Sequence, residues 1–340
     1  MRVTLNDLAR LAGVSNATVS VALSDKHKGR VSEKVRKRIL ALARKHGYRR
    51  NLAARALVQG RTYRIGMCVH GNLSTYSVTE MIDFYEQFVM YSQAIQSAGY
   101  AVELVELEPS RSGSETSADL SKRFVDGLVF PYWPPGRVTE LLAAMKKKGI
   151  PAVCSGSVLK DDTLTWTGVD ESAVFEDATR YLIEQGHERI ALLDIRSGAN
   201  PEAARHSFLR IMKNKLRRDA EAWVFHMEKP RVGELVNATN AALDAIKGVR
   251  AFLITENVYC HAVLHALQDR NMAPGKDCRV IGFGETFEAS KARPRLSHYC
   301  IKNKDQVEFS VAALLEQIRN PAGYQSRHKL IEPVFVQLET

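Results

Sequence analysis

No part of this 340-residue sequence approaches the roughly eighteen consecutive apolar residues that a membrane-crossing helix requires. The opening segment MRVTLNDLAR also lacks the apolar stretch of a secretory signal, so a cytoplasmic protein is expected. Cysteine is scarce: Cys68, Cys154, Cys260, Cys278 and Cys300 are odd in number, widely spaced and mostly set in apolar runs. That pattern argues for reduced core thiols over a disulfide framework. No CxxC pair and no Cys/His cluster offers metal-ligand spacing, so neither metal nor cofactor is expected. GxSxG, HExxH and phosphate-loop motifs are absent, and Gly282-Phe283-Gly284 lacks the third glycine of a dinucleotide site. These absences weigh against an enzyme.

Negative charge is missing from one place in particular. Residues 1–64 hold 16 lysines and arginines but only three acidic residues, Asp7, Asp25 and Glu33, a balance of +13. The rest of the chain carries −3, so the whole net charge of +10 originates in the N-terminal fifth. A small basic module on a near-neutral body is the electrostatic footprint of a nucleic-acid binder. The hydrophobic fraction of 45% and charged fraction of 25% are those of an ordinary folded protein long enough for two or three compact domains.

The basic module has a helical grammar. Thr4 can cap a helix with Leu5, Leu8, Leu11 and Ala12 on one stripe; Gly13 ends it, Val14 drops inward, and Ser15 caps a second helix burying Val19, Ala22 and Leu23. Helix, glycine turn and short second helix at these offsets form a helix-turn-helix, whose second helix enters the major groove of DNA. Ser32 caps a third helix with Val35, Ile39, Leu42 and Ala43 inward, closing at Gly47.

From Tyr63 onward, short β-rich runs alternate with helical stretches: Arg64–Val69, Tyr100–Leu107, Asp126–Phe130 and Ile150–Ser155 are separated by helices at Thr79–Ala98, Ser117–Phe124 and Arg137–Lys148. The pattern restarts at Thr167–Asp170 and runs to Arg279–Gly284, predicting a second parallel-sheet lobe. The segments Leu296–Lys302, Asp305–Arg319 and Glu332–Leu338 are expected to cross back between lobes.

The run from Val3-Thr4-Leu5-Asn6-Asp7-Leu8-Ala9 through Ala12-Gly13-Val14-Ser15-Asn16-Ala17-Thr18-Val19-Ser20, with Val31-Ser32, His46-Gly47-Tyr48 and Asn51-Leu52-Ala53-Ala54-Arg55-Ala56-Leu57, resembles the lac and purine repressor (LacI) family. The resemblance continues more loosely through Val125-Asp126-Gly127-Leu128-Val129, Gly186-His187-Glu188-Arg189-Ile190 and Val280-Ile281-Gly282-Phe283-Gly284. It implies an all-α helix-turn-helix headpiece over 1–49, a hinge helix and linker over 50–62, and a dimerising body over 63–340. That body is α/β, with two doubly wound parallel-sheet lobes of periplasmic-binding-protein type. Lobe one is expected at about 63–160 and 290–320, lobe two at about 161–289 and 321–340.

The function so implied is a dimeric transcriptional repressor that binds a pseudo-palindromic operator in double-stranded DNA, its affinity modulated by a small-molecule effector held between the lobes. By the same resemblance, Asn16, Ala17 and Val21 stand where side chains reach base edges; Thr4, Leu5, Ser15, Thr18, Ser20, Ser24, Arg30 and Ser32 lie near phosphates or beside the bases. Asn51, Ala54 and Leu57 belong to the hinge, Leu57 being the apolar wedge for the minor groove. Asn16 alone of the base-edge set can pair two-pronged, most commonly with adenine.

In the cleft the sequence departs from its relatives. An aspartate that many sugar-binding relatives carry is here Gly284, followed by Glu285; their arginine falls at Ala204, with Arg205 one step away; their asparagine-aspartate pair is Glu256-Asn257. An effector flatter or more apolar than a hexose is therefore expected, stacked on Trp133, with Tyr76, Tyr132, Arg205, Asn257 and Glu285 as further contacts. The alternatives are a soluble solute-binding protein, or a regulator with a vestigial cleft controlled by a protein partner.

Overall fold

The computed structural model describes residues 3–23, 30–48, 60–70, 78–108, 110–133, 135–195, 202–227, 231–284 and 291–340. Two compact units result, Met1–Thr62 and Tyr63–Thr340.

In the first unit, α1 spans Leu5–Ala12, α2 Asn16–Ala22 and α3 Glu33–Lys45. Leu8, Ala9, Ala12, Val19, Ala22, Ile39 and Ala43 form its core. Leu11, expected on the buried stripe, is 42% exposed. The stripe runs instead through Leu5, Leu8, Ala9 and Ala12, because at 3.6 residues per turn Leu11 falls roughly 100° round the helix from the centre of that stripe. Ser32 holds the N-cap position of α3 without a side-chain capping bond.

The second unit contains two six-stranded sheets. The first has the order β11-β5-β4-β3-β1-β2, with β1 Arg64–His70, β2 Ala101–Leu107, β3 Gly127–Pro131, β4 Ala152–Ser155, β5 Trp166–Val169 and β11 His328–Ile331. The second has the order β12-β10-β9-β8-β6-β7, with β6 Ile190–Ile195, β7 Val224–Met227, β8 Ala251–Ile254, β9 Arg279–Phe283, β10 Ser297–Cys300 and β12 Val334–Val336. Among the described residues neighbouring strands run parallel, except β10 and β12, which are antiparallel. In chain order the helices are α4 Val78–Ser97, α5 Gly113–Leu120, α6 Pro135–Lys147, α7 Glu171–Glu184, α8 Ala203–Leu216, α9 Val232–Ala245, α10 Cys260–Asp269 and α11 Asn303–Arg319. Apolar clusters cover both faces of each sheet, the doubly wound arrangement the alternation implied.

Strand pairing moves three segments between lobes. Trp166–Val169 belongs to lobe one, by pairing with β4 and β11, although it was expected to open lobe two. His328–Ile331 joins it, whereas Ser297–Cys300, expected in lobe one, pairs with β9 and β12 in lobe two. β5 and β11 pair across 162 residues, which leaves no local trace, and β10 differs from the expectation because it stays beside β9, only 16 residues earlier, instead of crossing at once to lobe one. Helix α5 begins four residues earlier than Ser117 because Ser112 and Glu115 close a reciprocal capping box at its start.

Trp133 is a correction of another kind. Expected at the cleft, it is fully buried in lobe one among Phe130, Val138, Leu141 and Trp166, with its indole Nε1 donating to the Cys68 carbonyl at 2.9 Å. An indole with a polar tip is accepted in a core when its N–H reaches a partner. No ligand can stack on it. Trp133→Phe should therefore lower folding stability by about 1–3 kcal/mol, because the buried carbonyl loses its donor. Denaturant unfolding checks this; an unchanged midpoint would place the indole outside the core.

Candidate nucleic-acid interface and inter-lobe cleft

The interface is built by two capped helix starts. Thr4 Oγ1 accepts from Asp7 N at 3.3 Å, while the Asp7 carboxylate returns to Thr4 N at 3.0 Å and Thr4 Oγ1 at 2.7 Å. These bonds, led by the Thr4 hydroxyl, hold the Asp7 carboxyl below the usual carboxylate range. Gly13 then adopts φ +62°, a conformation that costs a residue with a Cβ, and Val14 N returns to Ala9 O at 3.1 Å. The chain so reversed starts α2, where Ser15 Oγ accepts from Thr18 N at 3.2 Å.

With Val19 and Ala22 buried, the other side of α2 presents Asn16, Ala17 and Ser20, all exposed, and half-buried Val21. Asn16, Ala17 and Val21, expected at base edges, therefore share one outward face with Ser20. Thr4, Ser15, Arg30 and Ser32 are exposed too, whereas Leu5 and Thr18 are half-buried, Thr18 with its hydroxyl 2.9 Å from Ser15 Oγ. Ser24, Asn51, Ala54 and Leu57 lie outside the described residues. Asn6, which the sequence reading passed over, accepts a 2.6 Å bond from Asn16 Nδ2. The signal was a second short carboxamide in the first turn of the preceding helix.

The cleft follows from topology. β5 leaves lobe one at its carboxyl end and enters α7, which packs in lobe two with Ile190, Leu192 and Phe208. β10 leaves lobe two at its carboxyl end and enters α11, whose Val307, Val311, Leu314 and Ile318 pack on lobe one. β11 leads from its carboxyl end to β12. Because the strands of each sheet run parallel, these three crossings turn the carboxyl edges of both sheets toward each other. Carboxyl edges are where doubly wound sheets hold ligands.

On the lobe-one edge, the hydroxyls of Tyr132, Tyr91 and Ser155 have partners within the lobe, while Gln306 Oε1 and Thr167 Oγ1 are buried without one among the described residues. Tyr132, at φ +53°, lays its ring across Gly156, where a Cβ would meet it at 2.6 Å. Its hydroxyl donates to Asn303 Oδ1 at 3.1 Å and accepts from Gln306 Nε2 at 2.9 Å. Behind it, Tyr91 and Ser310 both donate to Ser155 Oγ, all buried. Burial pushes the Tyr91 phenol well above its ordinary range.

On the lobe-two edge, Asn257 is 1% exposed; its Nδ2 donates to the Gly284 carbonyl, and its Oδ1 sits where a Cβ on Gly282 would stand. Arg205 is committed elsewhere, to Glu202 at 3.4 Å and to Glu221. Tyr76 and Glu285 lie outside the described residues. The structure adds a fully buried carboxylate, Asp194, paired in register with His226 on the neighbouring strand, Nδ1 to Oδ2 3.1 Å. A charged residue interrupting the apolar strand Ile190–Ile195 was its sequence signal. At the first crossing, desolvation, with neighbouring Asp170 second, pushes Glu171 up to about 7. Among the described residues no His, Cys, Asp and Glu group could hold a metal ion, and no helix is long and apolar enough to cross a membrane.

Comparison with known proteins matches this layout in order. Residues 4–51 match bacterial regulatory proteins of the lacI family. Residues 71–222 match the periplasmic binding proteins and sugar binding domain of the LacI family, and residues 179–337 a periplasmic binding protein-like domain. The HTH-type transcriptional regulator RegA of Clostridium saccharobutylicum is 24% identical over 342 residues, covering 98% of both chains. Catabolite control protein A of Priestia megaterium is 25% identical over 310 residues, covering 87% of each. Among solved structures, the Lac repressor dimer bound to operator and the anti-inducer ONPF superposes with a TM-score of 0.81 at 20% identity, covering 100% of this chain and 99% of that one. A complex of the regulator CelR with cellobiose gives 0.69 at 20% identity, covering 99% of each. Headpiece, lobes and their order along the chain agree with the sequence matches: the protein is a DNA-binding transcriptional regulator and belongs to the LacI family.

Proposed function

We propose that the chain represses transcription from the cytoplasm as a dimer on pseudo-palindromic duplex DNA, and that a small molecule between the lobes adjusts its affinity. The observation that carries this reading is the outward face of α2, with Asn16, Ala17, Ser20 and Val21 on a helix braced by two caps in a unit of strongly positive charge. Asn16 pairs two-pronged with adenine; Val21 cannot donate to guanine and meets a thymine methyl. Thr4, Leu5, Ser15, Thr18, Ser20, Ser24, Arg30 and Ser32 lie near the phosphates or beside the bases, and of the hinge residues Asn51, Ala54 and Leu57, Leu57 is the wedge for the minor groove.

An exposed apolar pair supports dimerisation. Tyr85 on α4 is 65% exposed, and Leu104 on the edge strand β2 is 48% exposed. A second copy covering this side of lobe one would remove both from water. Two solved relatives, a Lac repressor dimer bound to operator and a CelR–cellobiose complex, point the same way.

For the cleft, the remaining candidate contacts are Tyr132, Asn257 and Glu285, with Tyr76; Arg205 would first have to leave its carboxylates. One observation favours a second reading, a cleft without a ligand: the hydroxyls of Tyr132, Tyr91 and Ser155 already have partners within lobe one.

Selection of duplexes from a random pool by the full-length protein should return a two-fold-symmetric site. Inserting about 5 base pairs, half a helical turn, between its halves should reduce affinity to that of one half. Asymmetric sites, or indifference to the insertion, would refute the dimeric reading. A thermal-shift screen of small metabolites addresses the cleft, where a ligand at a hundred times its Kd adds about 2.7 kcal/mol. Stabilisation lost in Asn257→Ala supports the sensing reading; no stabilisation by any metabolite supports the second.

A further inference from the structure

The bond from Asn16 Nδ2 to Asn6 Oδ1, 2.6 Å long, joins the first turns of two helices that meet at the headpiece surface. Both side chains are exposed, so the bond has little to do with holding the core together. Competing groups nearby are occupied. The Asp7 carboxylate is held by Thr4 and, at 3.1 Å, by Arg10, while Ser15 Oγ is engaged with Thr18.

A carboxamide has two N–H donors and one oxygen acceptor, and its terminal torsion has two broad wells that exchange them. Two-pronged adenine recognition needs one N–H toward N7 and the oxygen toward the N6 amino group. After Asn16 has given one N–H to Asn6, it retains one N–H and its whole oxygen. That remainder is the set adenine requires. In the exchanged orientation the oxygen of Asn16 would face the oxygen of Asn6, which is repulsive unless Asn6 turns as well.

We infer that Asn6 is a specificity-determining positioning residue: it selects the orientation in which Asn16 reads its base. The inference rests on the assignment of Asn16 as a base-reading residue. Asn6 does not itself touch the base. It removes the orientational freedom that an exposed asparagine would otherwise have to lose on binding.

The test measures relative affinities of the full-length protein for its selected duplex and for duplexes changed at the adenine position, for wild type, Asn6→Ala, Asn6→Asp and Asn16→Ala. Thermal unfolding confirms that each variant is folded. Discrimination at that position should vanish in Asn16→Ala and fall about three- to tenfold in Asn6→Ala, a share of the one-to-two decades a two-pronged pair supplies. Asn6→Asp presents oxygen acceptors only and fixes Asn16 the same way, so it should retain discrimination while its added negative charge weakens binding to every duplex alike, more so at low salt.

Full discrimination in Asn6→Ala would overturn the inference and leave the base-reading assignment standing, provided Asn16→Ala has lost it. Loss of discrimination in Asn6→Asp equal to that in Asn6→Ala would also overturn it. Unchanged discrimination in Asn16→Ala would overturn both the inference and the assignment beneath it.

Discussion

Three strands that leave their sheets at the carboxyl end, β5, β10 and β11, set the geometry of the body. If any of them crossed from an amino end, the two parallel sheets could not present carboxyl edges to each other, and the residues brought to the cleft would lie on opposite outer rims. Loops connecting strand ends to helices are free to vary without disturbing the clusters on either face of each sheet. The cleft can therefore change chemistry while the scaffold stays constant. In this chain Arg205 is held by two glutamates, Asn257 ties the end of β9 to the segment after β8, and Asp194 is buried against His226.

The headpiece rests on a more local constraint. Its reversal needs a positive φ at one residue and capping atoms at two, supplied by Gly13, Thr4 and Ser15 within twelve consecutive residues. Such a device is written in the sequence, because donor, acceptor and backbone conformation all belong to neighbours. Its outward face was legible for the same reason: once Val19 and Ala22 point in, helical periodicity leaves Asn16, Ala17 and Ser20 out.

The body was legible as alternating strands and helices but not in its partnerships. Trp133 lies two residues past the end of β3 and carries a polar ring tip, which points to a place at the cleft. Its N–H partner, the Cys68 carbonyl, is 65 residues away. Lobe membership failed in the same manner for Trp166–Val169, whose neighbour β11 lies beyond residue 327. Asn6 was missed for a different reason. Its offset of ten residues from Asn16 spans one helix and one turn, enough to bring two first turns together, but nothing in the motif alone marks which polar side chain of the first turn meets Asn16.

DNA recognition lies in the first 64 residues, which carry +13, and control in the rest of the chain, at −3. The most direct test is the affinity of the intact protein for its selected duplex across a range of salt concentrations. For each phosphate neutralised, log affinity should fall by about 0.9 per tenfold rise in salt. With an N-terminal segment of this charge the predicted result is a steep linear decline corresponding to several phosphates; an affinity that stays flat with salt would contradict the account.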